Sequence, residues 1–245
     1  MHAQVVVISR GRPELVGLAL RLFPDPLLCI REDEEENYLR HNPKAKLLKH
    51  PASIKGLGKV RQWILDTLPD ECVFQVDDDV SGLGCCVGNR WRPIEEPEAI
   101  QALIDTTAEV AKGIGTSVFG FAHTVDTRHS RSNSPFTFTG YANGFSLGII
   151  GRKLRFDPTL DTKQDIDYSL QALYRDRVIW RDLRFGFKCS GWFQRPGGNA
   201  TIRTSETLEK NVRRLKQKWG DAVSIEHSKR NNKLTHQNVS INVQR

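Results

Sequence analysis

Eight residues, Val73-Phe74-Gln75-Val76-Asp77-Asp78-Asp79-Val80, constrain this chain most: a mostly apolar run drives straight into three consecutive carboxylates. The apolar part follows a Pro69-Asp70 turn and reads as a buried strand of an α/β sheet. In open α/β sheets ligands bind just beyond the carboxyl ends of the strands. Three Asp side chains there repel one another unless a cation lies among them, and hard oxygen ligands suit Mg²⁺ or Mn²⁺. Such an ion commonly completes its shell with substrate phosphates, so the run points to chemistry on a metal–diphosphate group. A solvated acidic turn is the plain alternative, and only the rest of the chain can decide between them.

The surrounding pattern is that of a Rossmann-like sheet. Residues 4–9 form a first strand (Val5, Val6, Val7, Ile8), followed by a helix over 14–22 that Pro13 opens. Strands are predicted at 27–31 and around Leu47-Leu48, and a helix with Val60, Ile64 and Leu68 spaced by four precedes the Asp-terminated strand. Beyond it come a helix at 95–112, a strand at 118–123, a polar loop at 124–135, a strand at 145–150, a helix at 162–175 and a strand at 178–187. A Gly-rich turn, Pro196-Gly197-Gly198-Asn199, leads to a basic helix at 205–219, and after Gly220 the chain is expected to be irregular. Alternating strands and helices predict an α/β class with a central, mostly parallel sheet. We expect one domain over 1–204, its nucleotide-binding half at about 1–90 and its acceptor half at about 91–204, then a basic helix and tail over 205–245.

Charge matters by its placement. Of a net +7, residues 201–245 hold ten Lys/Arg and four Asp/Glu, so 10 − 4 = +6 lies in that segment. This predicts a polyanion-facing surface, against the plainer role of a solubilising tail. No run approaches the roughly 18 apolar residues that would mark a membrane span. The Met1 end runs directly into a strand without the look of a signal peptide. Five Cys with no C-x-x-C pair argue against a disulfide framework or zinc site, so reduced thiols and a cytoplasmic location are expected.

Several motifs carry chemistry. Ser9-Arg10-Gly11-Arg12 closes the first strand where an α/β protein receives a nucleotide, although it is no G-x-G-x-x-G fingerprint. Lys55-Gly56-Leu57-Gly58-Lys59-Val60-Arg61 couples cations and glycines to a helix start, which favours a phosphate there over a plain cap. Asp161 to Asp167 is a second acidic cluster: Thr162 and Asp165 fit a capping box, while the carboxylates could instead orient or deprotonate an acceptor hydroxyl. His50, His123, His129, His227 and His236 are each single-ligand candidates, more plausibly ordinary core or surface histidines. A Walker A loop, a G-x-S-x-G elbow and paired zinc-type histidines are all missing from the sequence.

Together these pieces resemble a GT-A glycosyltransferase, and more closely the phage TET-associated glycosyltransferases. The matching residues are the first-strand Ser-Arg-Gly-Arg, His50-Pro51, Gly58 through Arg61-Gln62-Trp63, Val76-Asp77-Asp78-Asp79-Val80, Gln164-Asp165-Ile166-Asp167-Tyr168-Ser169-Leu170-Gln171 and Gly197-Gly198, over residues 4 to 200. The resemblance implies sugar transfer from a UDP-sugar to a hydroxymethylated pyrimidine such as 5-hydroxymethylcytosine in phage DNA. By carry-over, Mn²⁺ or Mg²⁺ lies at Asp77 and Asp79 with Asp78 beside it, and Ser9, Arg10, Arg12, Lys55 and Arg61 face the nucleotide. Asp165, or Asp167, faces the acceptor hydroxyl, and the family's usual Glu is Gln164 in this chain. GT-A enzymes often complete the metal shell with a C-terminal His, for which His227 is an open choice. The basic loop Arg128-His129-Ser130-Arg131 and the helix residues Arg213 and Arg214 offer phosphate contacts for DNA. Two alternatives stay open at this stage: the same enzyme acting on a protein or polysaccharide, and a non-catalytic DNA-binding module.

Overall fold

The computed structural model describes residues 1–87, 90–127, 133–190, 204–227 and 237–241, and for 225–227 and 237–241 the backbone alone. The first strand, β1 (Gln4–Ile8), shows why a sheet buried on both faces forms here. Val5 and Val7 enter one apolar core while Val6 and Ile8 enter the other, because successive side chains point to opposite sides. Around β1 lie β2 (Leu27–Arg31), β3 (Lys46–His50) and β4 (Cys72–Asp77). The later strands are β5 (Val80–Val87), β6 (Arg90–Ile94), β7 (Val118–Ala122), β8 (Phe136–Thr137), β9 (Ser146–Ile150) and β10 (Trp180–Cys189). They form a ten-stranded sheet of order β3-β2-β1-β4-β9-β7-β10-β5-β6, with β8 joined to β10.

Most strands share one direction. The pairs joining β3, β2, β1 and β4 are parallel, β7 and β10 are parallel to each other, and β5, β8 and β9 run against the rest. Helices α1 (Gly17–Arg21), α2 (Glu35–His41) and α4 (Pro97–Ile114) cover one face; α3 (Leu57–Thr67) and α5 (Gln164–Asp176) cover the other. The α4 helix buries Ile100, Ile104, Ala108 and Ala111 at steps of four and three residues and ends where Gly115 takes a left-handed φ of 88°. A sixth helix, α6 (Ser205–Trp219), is capped by Thr204 and packs Val212 and Leu215 against Ile166 and Leu170 of α5.

The acidic residues after β2 form a 3-10 turn, Glu32–Glu34, and the start of α2. The structure corrects the sequence reading in two places. The 5-residue α1 replaces the longer helix expected at 14–22, and the segment after the triple Asp, for which no element was expected, forms the antiparallel pair of β5 and β6. Beyond Gly220 the chain forms β11 (Val223–His227) and β12 (Gln237–Ile241), an antiparallel pair in place of the expected irregular tail. Cys29, Cys72, Cys85, Cys86 and Cys189 are all free thiols. Among the described residues no helix is long and apolar enough to cross a membrane.

Candidate active site

Sheet order locates the crevice. From β1 the chain winds outward to β2 and β3, then returns to the other side of β1 as β4, so the winding reverses between β1 and β4. At such a switch point the loops after the two strands part and leave room for a ligand. Ser9 follows β1 there, and Asp77 ends β4 directly opposite, in register with Ile8.

The three aspartates diverge. Asp78 turns into the β1 edge, where its carboxylate accepts from Ser9 Oγ at 2.6 Å and from Arg12 Nε at 3.1 Å, with Arg12 Nη2 completing a two-pronged ion pair. Ser9 Oγ also lies 2.7 Å from the Tyr38 hydroxyl, itself an acceptor for the Arg12 main-chain N–H. Burial pushes the Asp78 pKa up to about 6, although the Arg12 charge and the Ser9 hydrogen bond pull the other way. Asp77, with 30% of its side chain exposed, accepts from Arg61 Nη2 at 2.8 Å. Asp79 begins the turn into β5. Its carbonyl accepts from the Ser190 main-chain N–H at 2.9 Å and from Ser190 Oγ at 3.0 Å. Asp79 and Asp77 both add to the burial that drives the Cys189 thiol pKa upward, so both charges lie close to the end of β10.

That closure depends on a bend in β10. Trp180 to Asp182 pair with β7, the register slips before Gly186, and the second half pairs with β5. The second half ends beside the triple Asp, where Cys189 pairs with Val80, and Phe187 lies 5.6 Å from Phe74, centroid to centroid.

Arg61 links the two acidic clusters. Its side chain is wholly buried, and the Nη2 that serves Asp77 also donates to the Gly144 carbonyl. The Gly144 N–H in turn donates to Asp165 Oδ2 at 3.0 Å. The missing side chain at Gly144 is what permits this, since a Cβ there would lie 3.1–3.2 Å from the Asp165 carboxylate and its Cβ. Asp77 and Asp165, far apart in sequence, thus share one short relay of hydrogen bonds. Asp165 also acts electrostatically on His123 and Tyr141, whose rings are 4.4 Å apart.

Other expected residues land elsewhere. Arg61 was expected to meet the nucleotide; with no exposed side chain it is a strut under Asp77 instead. No capping box forms at α5: Lys163 precedes the helix in a left-handed conformation, and Thr162 Oγ1 accepts from Asn211 of α6 at 2.9 Å. Asp167 is fully buried under α6, where it accepts from Trp219 Nε1 at 2.8 Å, Lys218 Nζ at 2.8 Å and Gln171 Nε2 at 2.8 Å. Gly58 serves close packing, since a Cβ would come 3.3 Å from the Leu160 carbonyl. Arg10 and Lys55 are exposed, the first beside β1 and the second just before α3. His50 ends β3, buried with an edge-on Trp63 at 6.0 Å, and burial lowers its pKa. Arg213 is exposed and paired with Glu209 at 2.5 Å; Arg214 lies 3.6 Å from Asp157. Arg128, His129, Arg131, His236, Gly197 and Gly198 lie outside the described residues, and of His227 only the backbone is described. Tyr38, Gly144, Tyr141 and Arg181 were not singled out beforehand; none sits in a motif, and only the fold brings them to the sheet edge.

Among the described residues no group of three or more His, Cys, Asp or Glu could hold a metal ion. The carboxylates expected to hold a metal, Asp77 and Asp79, number only two. That is compatible with an ion bound by one or two carboxylates and substrate phosphates, and not with an all-protein cage.

A mostly parallel α/β sheet with acidic residues at the reversal of its winding is an arrangement suited to holding a nucleotide at the sheet edge. The sequence model of the TET-Associated Glycosyltransferase family matches residues 3–186, and the chain belongs to that family. Among curated proteins none matches significantly in sequence. The crystal structure of S. aureus TarS 1-349 has a similar fold, with a TM-score of 0.51 at 11% identity over 89% of this chain and 72% of that one. The same protein in complex with UDP-GlcNAc gives 0.54 at 13% identity, over 88% and 67%.

Proposed function

We propose that this glycosyltransferase moves a sugar from a UDP-sugar to the hydroxyl of a hydroxymethylated pyrimidine, such as 5-hydroxymethylcytosine, in DNA. One observation carries the reading: the relay from Asp77 through Arg61 and Gly144 to Asp165 holds the two acidic clusters in a fixed relation across the sheet edge. Such an arrangement suits a donor diphosphate at one end and an acceptor hydroxyl at the other. The similar fold of TarS, solved with UDP-GlcNAc, supports a UDP-sugar as donor.

The nucleotide would enter the crevice between β1 and β4, bounded by Ser9, Arg12 and Asp78, with Arg10 and Lys55 at its exposed margin. Mn²⁺ or Mg²⁺ at Asp77 and Asp79 would supply neutralisation of the charge left on the departing diphosphate. Asp165 is the group assigned to the acceptor. As the hydroxyl oxygen bonds to the anomeric carbon and the bond to the diphosphate breaks, the hydroxyl proton passes to the Asp165 carboxylate. Arg61 positions both carboxylates without touching either substrate. Asp167, assigned with Asp165 on the resemblance, is better read as the anchor of α6. Arg213 and Arg214 on that helix are assigned to DNA phosphates; the exposed Arg213–Glu209 ion pair is worth about 0–1 kcal/mol and exchanges readily for phosphate.

The test is mass spectrometry of 5-hydroxymethylcytosine DNA after incubation with the protein, Mn²⁺ and a panel of UDP-sugars. A hexose- or N-acetylhexosamine-sized gain on the modified nucleoside, abolished by EDTA and in Asp79→Asn, is the expected result. Turnover of a UDP-sugar with no gain on DNA would move the acceptor to a protein or polysaccharide. Neither binding nor turnover of any UDP-sugar would overturn the donor assignment.

A further inference from the structure

Beyond the switch point, a second concavity opens where β5, β6, β7 and β10 meet. It holds about 590 Å³ and is lined by Trp91, His123, Asp126, Arg181, Arg184 and Phe185, among others. Its size suits a nucleotide-sized group. Residues 183–185 of β10, which bulge out between its pairings with Phe121 and Ala122 of β7, form part of its wall.

Arg181 is the unusual member. It is only 9% exposed, and its Nη1 donates to the Tyr141 carbonyl at 2.9 Å while its Nε is buried without a hydrogen-bond partner. Among the described residues no carboxylate lies within ion-pairing distance of it. Burial pushes its pKa down to about 10, and only Tyr141 opposes the shift. A guanidinium held out of water without a counter-ion is costly to the fold and normally finds a partner. The neighbouring cation is committed elsewhere: Arg184 is doubly bonded to Asp182 at 2.6 and 2.9 Å and lies over the Phe136 ring. His123 adds no charge, since burial drops its pKa to about 4 and its Nε2 donates to the Tyr141 carbonyl at 2.6 Å. The same Tyr141 carbonyl therefore holds both His123 and Arg181, and Asp165 acts electrostatically on His123 and Tyr141.

We propose that this cavity is an acceptor subsite in which Arg181 binds a phosphate of the acceptor, the phosphodiester beside the modified nucleotide. The inference rests on the reading of the acceptor as a nucleic acid. The ligand's anion would supply the missing counter-charge, and a guanidinium can do so with two parallel hydrogen bonds. Trp91 and Phe185 offer apolar and aromatic surface for the rest of the nucleotide.

Calorimetry on the full chain, saturated with UDP and Mn²⁺ so that the donor site is filled, separates the possibilities. The probes are 5-hydroxymethyl-2′-deoxycytidine 5′-monophosphate, the matching nucleoside, and inorganic phosphate. The monophosphate is expected to bind at least tenfold more tightly than the nucleoside. Arg181→Gln should abolish that difference while leaving UDP affinity unchanged, and Arg181→Lys should restore part of it. Equal affinity for monophosphate and nucleoside in the wild type, or discrimination that survives Arg181→Gln, overturns the subsite. A loss of UDP affinity in Arg181→Gln also overturns it, by assigning Arg181 to the donor diphosphate. If neither nucleoside nor monophosphate binds, the DNA reading fails by itself, and inorganic phosphate then decides. Phosphate binding lost in Arg181→Gln supports an anion subsite for another acceptor; no phosphate binding in the wild type removes the subsite as well.

Discussion

Removing the two partners of the Arg61–Asp77 pair one at a time should have unequal consequences. Arg61 has no exposed side-chain surface, whereas Asp77 is 30% exposed. Asp77→Asn leaves a buried guanidinium whose Nε and Nη1 already lack hydrogen-bond partners, with neutral acceptors, the Gly144 carbonyl and the new amide oxygen, in place of its counter-charge. Breaking a buried pair in this direction costs about 3–5 kcal/mol, because the charge left behind cannot reach water. Arg61→Met removes the buried charge itself. It leaves Asp77 within reach of solvent and strands the Gly144 carbonyl, a loss of about 1–3 kcal/mol. The double variant should therefore be no less stable than Asp77→Asn alone, with a coupling of about 2 kcal/mol by double-mutant cycle. Urea unfolding followed by tryptophan fluorescence, in EDTA and without nucleotide so that no ligand stabilises the folded state, measures all three. If Arg61→Met costs as much as Asp77→Asn, or if the two losses simply add, then Arg61 is not the buried strut described above.

Three further outcomes are expected. His123 is held neutral with a pKa near 4, against an ordinary 6.5, chiefly by burial. The unfolded chain thus binds its proton first as pH falls, so the stability His123 contributes is complete above about pH 6.5. It is lost progressively down to pH 4, by on the order of 3 kcal/mol, and a His123→Gln variant should flatten that slope in pH-dependent unfolding. Asp167→Asn should cost about 2–3 kcal/mol and raise hydrogen exchange in α6, by weakening the bonds from Lys218 and Trp219. UDP-sugar turnover lost while α6 stays protected would instead put Asp167 in the chemistry. Gly148→Ala should lower the unfolding midpoint strongly, since a Cβ would come within 2.2–2.4 Å of the Phe119 ring; a loss below about 1 kcal/mol would show that the ring moves freely.

Local pattern determined much of this protein. β1 and β4 were legible as apolar runs, α4 as a four-residue step of Ile and Ala, and α6 to the residue from Ser205 to Trp219. Each is specified by neighbours in the chain, and so is the placing of carboxylates at a strand end. β5 and β6 were not legible. The Gly-Cys-Cys composition of β5 has no alternation; β5 is a strand because β10, about a hundred residues later, pairs with it, and β6 adds to its other edge. The acidic α2 lacks an apolar stripe long enough to announce itself, and its one buried residue, Tyr38, is secured by the core of the sheet.

The site divides in the same way. That Asp77, Asp78 and Asp79 belong to a ligand-binding edge was in the sequence; which of them faces Arg12, which faces Arg61 and which begins the turn was not. Asp165 and Asp167 looked equivalent as letters two apart. On a helix turning 3.6 residues per turn they point about 200° apart, so only one can look towards the sheet edge. The packing of α5 decided it: Asp165 meets Gly144 on the side of the crevice, and Asp167 disappears beneath Lys218 and Trp219. Residue chemistry is carried by the chain locally. The direction in which it is aimed depends on contacts between segments far apart in sequence, and those exist only once the sheet has closed.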